Sequence, residues 1–411
     1  MNPSSGMSGT TTESVAREYC NSASEPESSG YFSHFNVRKV AEKIAKRFPV
    51  SEITGHIPKS TFWFTNEYPE GMRGCELSLA KTITKLRESS FPVKERRVSI
   101  ITGESGLLSS IPELSCISEL IIQVDSNPLL LNFTAELLKQ LSNVTSFNPK
   151  KYHQIILSSL ECLKRKGFPS DAYVSEVMDY AKAYKKAMRD LHCFSSQRRF
   201  EAFKSALNKC YIQAIEANYF SKKDMVSLFE ILAEEGFEVS YFNISNVCEY
   251  LFDFYDMNPY DGLVKDMEST AHIRAMPLAE DAVCAYSSLL STHDHTGTCT
   301  KDLFFDRLHQ INKSMVLRMI EKLSATDKPD IDSITSACVA LAKIDRTDVK
   351  SSMSFLRLLL AHITDEESTA LLSKVAEIEH ILSKNKMYDS ESGNKFMDVI
   401  KMATKKEQPY I

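Results

Sequence analysis

Val98-Ser-Ile-Ile-Thr-Gly-Glu-Ser-Gly-Leu-Leu-Ser109, followed by Leu120-Ile-Ile-Gln-Val-Asp125 and then Ser126-Asn-Pro128, decides the fold. The first run is short and β-branched, as a buried strand requires, and it ends in a turn with glycines at Gly103 and Gly106. The second run is equally apolar and ends in an acid, Asp125. Pro128 suits the first turn of a helix, because its missing N–H has no intrahelical partner there, and residues 129–141 supply an apolar face. Strand, glycine turn, strand ending in an acid, helix: this order opens a doubly wound α/β sheet.

Upstream, Val37, Val40, Ala41, Ile44 and Phe48 form an amphipathic helical stripe, and residues 75–88 fit a second helix through Leu77, Leu79, Ala80, Ile83 and Leu86. Between them a loop-like stretch carries Phe62, Trp63, Phe64 and Tyr68. It reads as a core plug, a lid over a pocket or a protein-contact patch. Downstream, residues 149–207 are helical throughout and rich in Lys and Arg, which predicts an all-helical insertion. Strands are expected over 211–217, 237–242 and 282–290, with a turn over 293–300. Ser221 has the signature of an N-cap, and Gly236 closes the helix it opens. Beyond Lys301 only helical periods appear, including a capping box at Thr364-Asp-Glu-Glu367.

The expected organisation is a disordered polar leader (1–30), an α/β domain (31–300, insertion about 146–207) and a C-terminal all-α bundle (301–411). The chain has 411 residues, a formal charge of −5, 43% hydrophobic and 25% charged residues, which is globular composition. Its near-neutral balance gives no strong nucleic-acid signal. Nowhere do enough apolar residues run together for a membrane span. The ten cysteines form no CxxC pair, which rules out a zinc ribbon by spacing, and apolar-flanked Cys162, Cys284 and Cys338 read as reduced core residues. A cytoplasmic location follows, without excluding export by a signal not readable here.

The two quoted runs resemble the Rossmann-like, class I S-adenosylmethionine-dependent methyltransferases. The resemblance covers roughly residues 95–145 and 205–300. It implies a Rossmann-like doubly wound sheet binding S-adenosylmethionine, with Gly103, Glu104, Ser105 and Gly106 as the cofactor turn. Asp125 then matches the acid that holds the ribose, with Asn127 beside it, and Glu216 and Asn218 match the adenine side. Asn243 and Asn246, where the fourth strand ends, match the polar motif facing the methyl group and are the catalytic candidates. No metal is implied. The sequence departs from the family at Ile100, where an acid is usual, and at Thr102 and Glu104, where glycines are usual. Glu104 would repel the cofactor's carboxylate or contact its amino group.

Other readings of the same residues stand beside this one. Gly103 and Gly106 can form a tight turn and nothing more, Asp125 can cap the Pro128 helix, and Asn246 can cap a helix of its own. Gly103-Glu-Ser-Gly106 is one position off a nucleophile elbow, and the turn lacks the Lys-Ser/Thr of a P-loop. His293 and His295 lack a third clustered ligand, and Leu108 and Ser109 replace the third glycine of a dinucleotide site. The expected function is methyl transfer to an acceptor the sequence does not name. The competing expectation is a catalytically inactive methyltransferase-like interaction protein with a protein partner. Its polar leader and helical C-terminal region would suit a secreted bacterial effector.

Overall fold

The computed structural model describes residues 31–52, 77–84, 96–103, 106–164, 171–244, 247, 272–286 and 297–308. The chain divides into two compact units, Met1–Val247 with Ala271–Phe304, and Cys248–Thr270 with Phe305–Ile411. The described residues lie almost wholly in the first. The expected leader and C-terminal bundle, the aromatic residues at 62–68, His293 and His295 fall outside them, save residues 301–308.

The first unit is a mixed α/β structure compatible with a Rossmann-like fold. Its strands are β1 (Arg97–Thr102), β2 (Leu120–Asp125), β3 (Tyr211–Glu216), β4 (Glu238–Asn243), β5 (Leu278–Tyr286) and β6 (Gly297–Thr300). They form one sheet of order β3-β2-β1-β4-β5-β6. The first five run parallel and β6 pairs antiparallel with β5. β1 is buried along its whole length, which is why it reads as an apolar run and not an alternating one. β5 begins earlier than its apolar pattern suggests, and Gly297–Thr300, expected as a turn, is a strand.

The helices are α1 (Tyr31–Arg47), α2 (77–84), α3 (Leu107–Leu114), α4 (Pro128–Ser142), α5 (Lys151–Lys164), α6 (Asp171–Met188), α7 (Gln197–Lys209), α8 (Lys222–Glu234) and α9 (301–308). Local chemistry sets several of their ends. Asn127 caps α4 by accepting from the Leu129 amide at 3.0 Å, with Pro128 in the first turn. Ser196 and Ser221 cap α7 and α8 by accepting from Arg199 and Asp224 amides. Each such cap contributes about 1 kcal/mol. Gly236 follows α8 with φ +71°, a left-handed conformation that favours glycine.

The insertion lies in the crossover from β2 to β3. Its helices α5, α6 and α7 bury Tyr152, Ile156, Leu160, Tyr184 and Phe203 in one continuous core with Leu137 and Leu141 of α4 and Ile121 of β2. α1 packs on β3 and α8, and its Lys43 pairs with Glu234 and Glu235. Between β1 and β4 the register skips Ser240, a β-bulge. The Ser240 hydroxyl donates to the Val98 carbonyl at 3.2 Å and meets Ser118 Oγ at 2.7 Å, and Ser118 meets Ser99 at 2.6 Å. This buried hydroxyl chain supplies partners where the ladder is interrupted.

Candidate functional site

The strand order reverses between β1 and β4: the chain leaves β1 toward β2 and β3, then returns to β4 on the other side. In open parallel sheets ligands bind outside the carboxyl ends of the strands at this reversal. Thr102, Gly103, Asp125, Glu216 and Asn243 all lie at that edge, as ends of β1 to β4 or immediately beyond.

Gly103 has φ +59°, and its amide donates to the Val124 carbonyl at 3.0 Å. A Cβ built on it would lie 3.3 Å from Asp125 Oδ2 and 3.4 Å from Leu130. The left-handed conformation favours glycine, and a side chain there would crowd the acid. The Gly103 carbonyl accepts from buried Gln123 Nε2 at 2.9 Å, and the same amide reaches Thr134 of α4 at 3.1 Å. Gly106, with φ +68°, opens α3. Its carbonyl accepts from the Ser109 and Ser110 amides at 3.0 and 2.7 Å and from the Ser109 hydroxyl at 3.0 Å. Glu104 and Ser105 lie outside the described residues.

The insertion reaches this turn. Tyr184 of α6 hydrogen-bonds Ser109 Oγ at 2.6 Å. Arg199 of α7 holds both oxygens of Glu113 in α3, at 2.6 and 2.7 Å, and also donates to the Ser109 carbonyl. A bidentate guanidinium–carboxylate pair fixes orientation as well as distance. The helix that follows the glycine turn is thus held by two helices of the insertion.

Asp125 is partly buried, and Oδ1 accepts from the Asn127 amide at 2.7 Å. Burial raises its carboxyl to about 6, against the amides of Asn127 and Ser126, which pull it down. No described cation offsets the charge. Asp125 is not itself the cap of α4; it holds the amide of Asn127, which is. Asn127 spends its side-chain oxygen on that cap.

Glu216 is the register partner of Asp125, and its Oε2 accepts from the Ser51 amide at 2.6 Å. Asn218 builds the next turn: its Oδ1 accepts from the Phe220 amide at 2.8 Å, and its amide donates to Asp224 at 3.2 Å. Asn243 is buried, and its carbonyl accepts from Thr102 Oγ1 at 2.7 Å, which ties the ends of β1 and β4 together. Asn246 lies outside the described residues. The structure thus brings Gly103, Asp125 and Asn127 into contact, with Gly106, Glu216, Asn218 and Asn243 at the same edge.

Two residues without a sequence signal complete the arrangement. Gln123 anchors the glycine turn from below. Tyr219 is buried beside Phe242, ring centroids 6.1 Å apart, with Thr102 and Asp125 close enough to act on its phenol. Burial pushes that phenol above its ordinary range and Asp125 adds to the rise, while the Thr102 side chain opposes it. The hydroxyl makes no well-formed hydrogen bond, and the Thr102 side chain is the polar group that acts on it.

Asp125 presents a carboxylate, the natural acceptor for two vicinal hydroxyls, against a left-handed glycine turn. Among the described residues no group of three or more His, Cys, Asp and Glu could hold a metal, and no helix is long and apolar enough to cross a membrane. Compared with known proteins, the chain matches no protein-family model and no curated sequence.

Proposed function

We propose that the crevice between β1 and β4 binds S-adenosylmethionine and that the protein is a methyl-transfer enzyme. The observation that carries this reading is the closeness of Asp125 Oδ2 to Gly103 at the strand-order reversal, 3.3 Å from where a Cβ would stand. The bound cofactor would supply an electrophilic methyl group. Asp125 accepts hydrogen bonds from the ribose hydroxyls, and the Gly103 turn lets the cofactor approach backbone. Glu216 and Asn218 border the adenine side, and Asn243 and Asn246 orient the acceptor. Catalysis in such a site comes mainly from holding the reactants in line.

The second reading is a scaffold that has lost its cofactor and binds a protein partner. The Thr102 hydrogen bond to the Asn243 carbonyl favours it, because that side chain stands where the family usually has glycine and bridges the crevice.

Calorimetric titration with S-adenosylmethionine and S-adenosylhomocysteine separates the two. Micromolar binding to the natural chain, weakened about 100-fold or more in Asp125→Ala, is expected from the loss of two charge-assisted hydrogen bonds. Absence of heat at millimolar ligand would overturn the enzyme reading in favour of the scaffold.

A further inference from the structure

The ladder between β5 and β6 sets Cys284 directly opposite Cys299, flanked by the pairs Val283–Thr300 and Ala285–Thr298. Residues opposed in this way project to the same face of the sheet. In an antiparallel ladder their Cα atoms lie about 4.5 or 5.5 Å apart, depending on the kind of pair, and both spacings fall within the roughly 4.4–6.8 Å a disulfide spans. Both thiols are reduced in the structure. Cys284 is fully buried, whereas Cys299 is half-buried on a strand of four residues. The two also act on each other: burial raises the Cys284 thiol above its ordinary range, and Cys299 raises it further.

Another close pair shows what this arrangement adds. Cys116 also raises the pKa of Cys210, whose thiol burial lifts to about 12. There the Cys116 S–H turns to the Pro112 carbonyl and the Cys210 S–H to the Ser118 carbonyl, and no ladder holds the two opposite each other.

We propose that Cys284 and Cys299 form a redox-modification site, closed to a disulfide by exchange with a low-molecular-weight disulfide such as oxidised glutathione. The half-buried Cys299 reacts first. Its thiolate attacks one glutathione sulfur, the glutathione disulfide breaks, and one glutathione thiolate leaves. Cys284 then gives its proton to solvent and attacks Cys299 Sγ, expelling the second glutathione. Two protein thiols are oxidised and one glutathione disulfide is reduced to two thiols. The raised pKa of Cys284 slows the second step. Closure ties a short edge strand to β5. Because β5 runs parallel to β4 and β1, its end at Tyr286 is at the same edge of the sheet as Gly103 and Asp125.

The test uses the full chain incubated with oxidised glutathione, quenched by alkylation, then mapped by mass spectrometry of its peptides. The expected result is a Cys284–Cys299 linked peptide with loss of two hydrogens as the main cross-link, absent from Cys299→Ser. In Cys284→Ser the second step is blocked, and a single glutathione should accumulate on Cys299. A native chain that resists cross-linking, or links other cysteines in preference, would overturn the proposal. So would a Cys284→Ser chain with no glutathione on Cys299.

Discussion

The two ends of one sheet treat charge in opposite ways. At the amino end, the Arg97 guanidinium of β1 is almost fully buried and meets Asp281 of β5 at 2.9 Å and Glu238 of β4 at 3.6 Å. At the carboxyl end, Asp125 of β2 is also partly buried, yet among the described residues backbone amides alone donate to it, and its pKa rises to about 6. The first end neutralises its charge across three strands and so contributes to holding them in register. The second keeps a carboxylate at a cost in stability. A fold retains such a group when something outside the fold repays it, which is the physical argument for reading Asp125 as a binding residue.

The sharpest way to break this contrast is at the amino end. Asp281→Asn leaves Arg97 with Glu238 alone and should destabilise the unit by roughly 2–3 kcal/mol, less than a fully buried pair because Asp281 is partly in water. Urea unfolding measures it, and a change near zero would mean that the sheet does not depend on the pair.

At the carboxyl end the sign should reverse. The folded carboxyl of Asp125, at about 6, titrates above its unfolded value of 3.8, so its ionisation costs stability as pH rises between the two. Asp125→Asn should therefore stabilise the unit at pH 7 by roughly 1–2 kcal/mol, with the gain disappearing below about pH 4. Thermal unfolding across that range checks it, and a loss of stability at pH 7 would place Asp125 among the structural charges.

The smallest effect concerns the link between insertion and turn. Tyr184→Phe removes the hydrogen bond to Ser109 and should cost about 1 kcal/mol. Faster hydrogen exchange confined to the Ser109 and Ser110 amides would show that the insertion steadies the turn, whereas unchanged exchange would separate the two.

Much of this sheet is legible in the sequence because its central strands are buried on both faces and leave mostly apolar runs, as in Val98–Ile101 and Leu120–Val124. Capping residues are legible for a similar reason: Ser221 and Gly236 act on backbone within a few positions. β5 is harder to read, because Glu280 and Asp281 interrupt its beginning with charge. Asp281 is tolerated in a strand since Arg97, far away in sequence, meets it across the sheet. β6 looks like a turn because four residues with a glycine have little strand character of their own, and only the edge of β5 supplies their partners.

In the candidate site, Gly103 and Asp125 stand out because the turn chemistry and the acid at a strand end are local features. Gln123 and Tyr219 do not. A glutamine inside an apolar run gives no hint that it will pin a carbonyl, and a tyrosine after a strand gives none that it will stop beside Thr102. Both depend on which strand becomes whose neighbour.

Local order in the chain thus determined the alternation of strands, turns and helices, the residues that stop each helix, and the position of an acid after a glycine turn, because these rest on backbone geometry and burial over a few residues. Tertiary structure alone decided the strand order that makes Gly103 and Asp125 an edge facing Asn243, the grip of Tyr184 and Arg199 on α3, and the opposition of Cys284 and Cys299. Those contacts join residues far apart in the chain. The relevant energies are packing and electrostatics across the sheet, which no local pattern records.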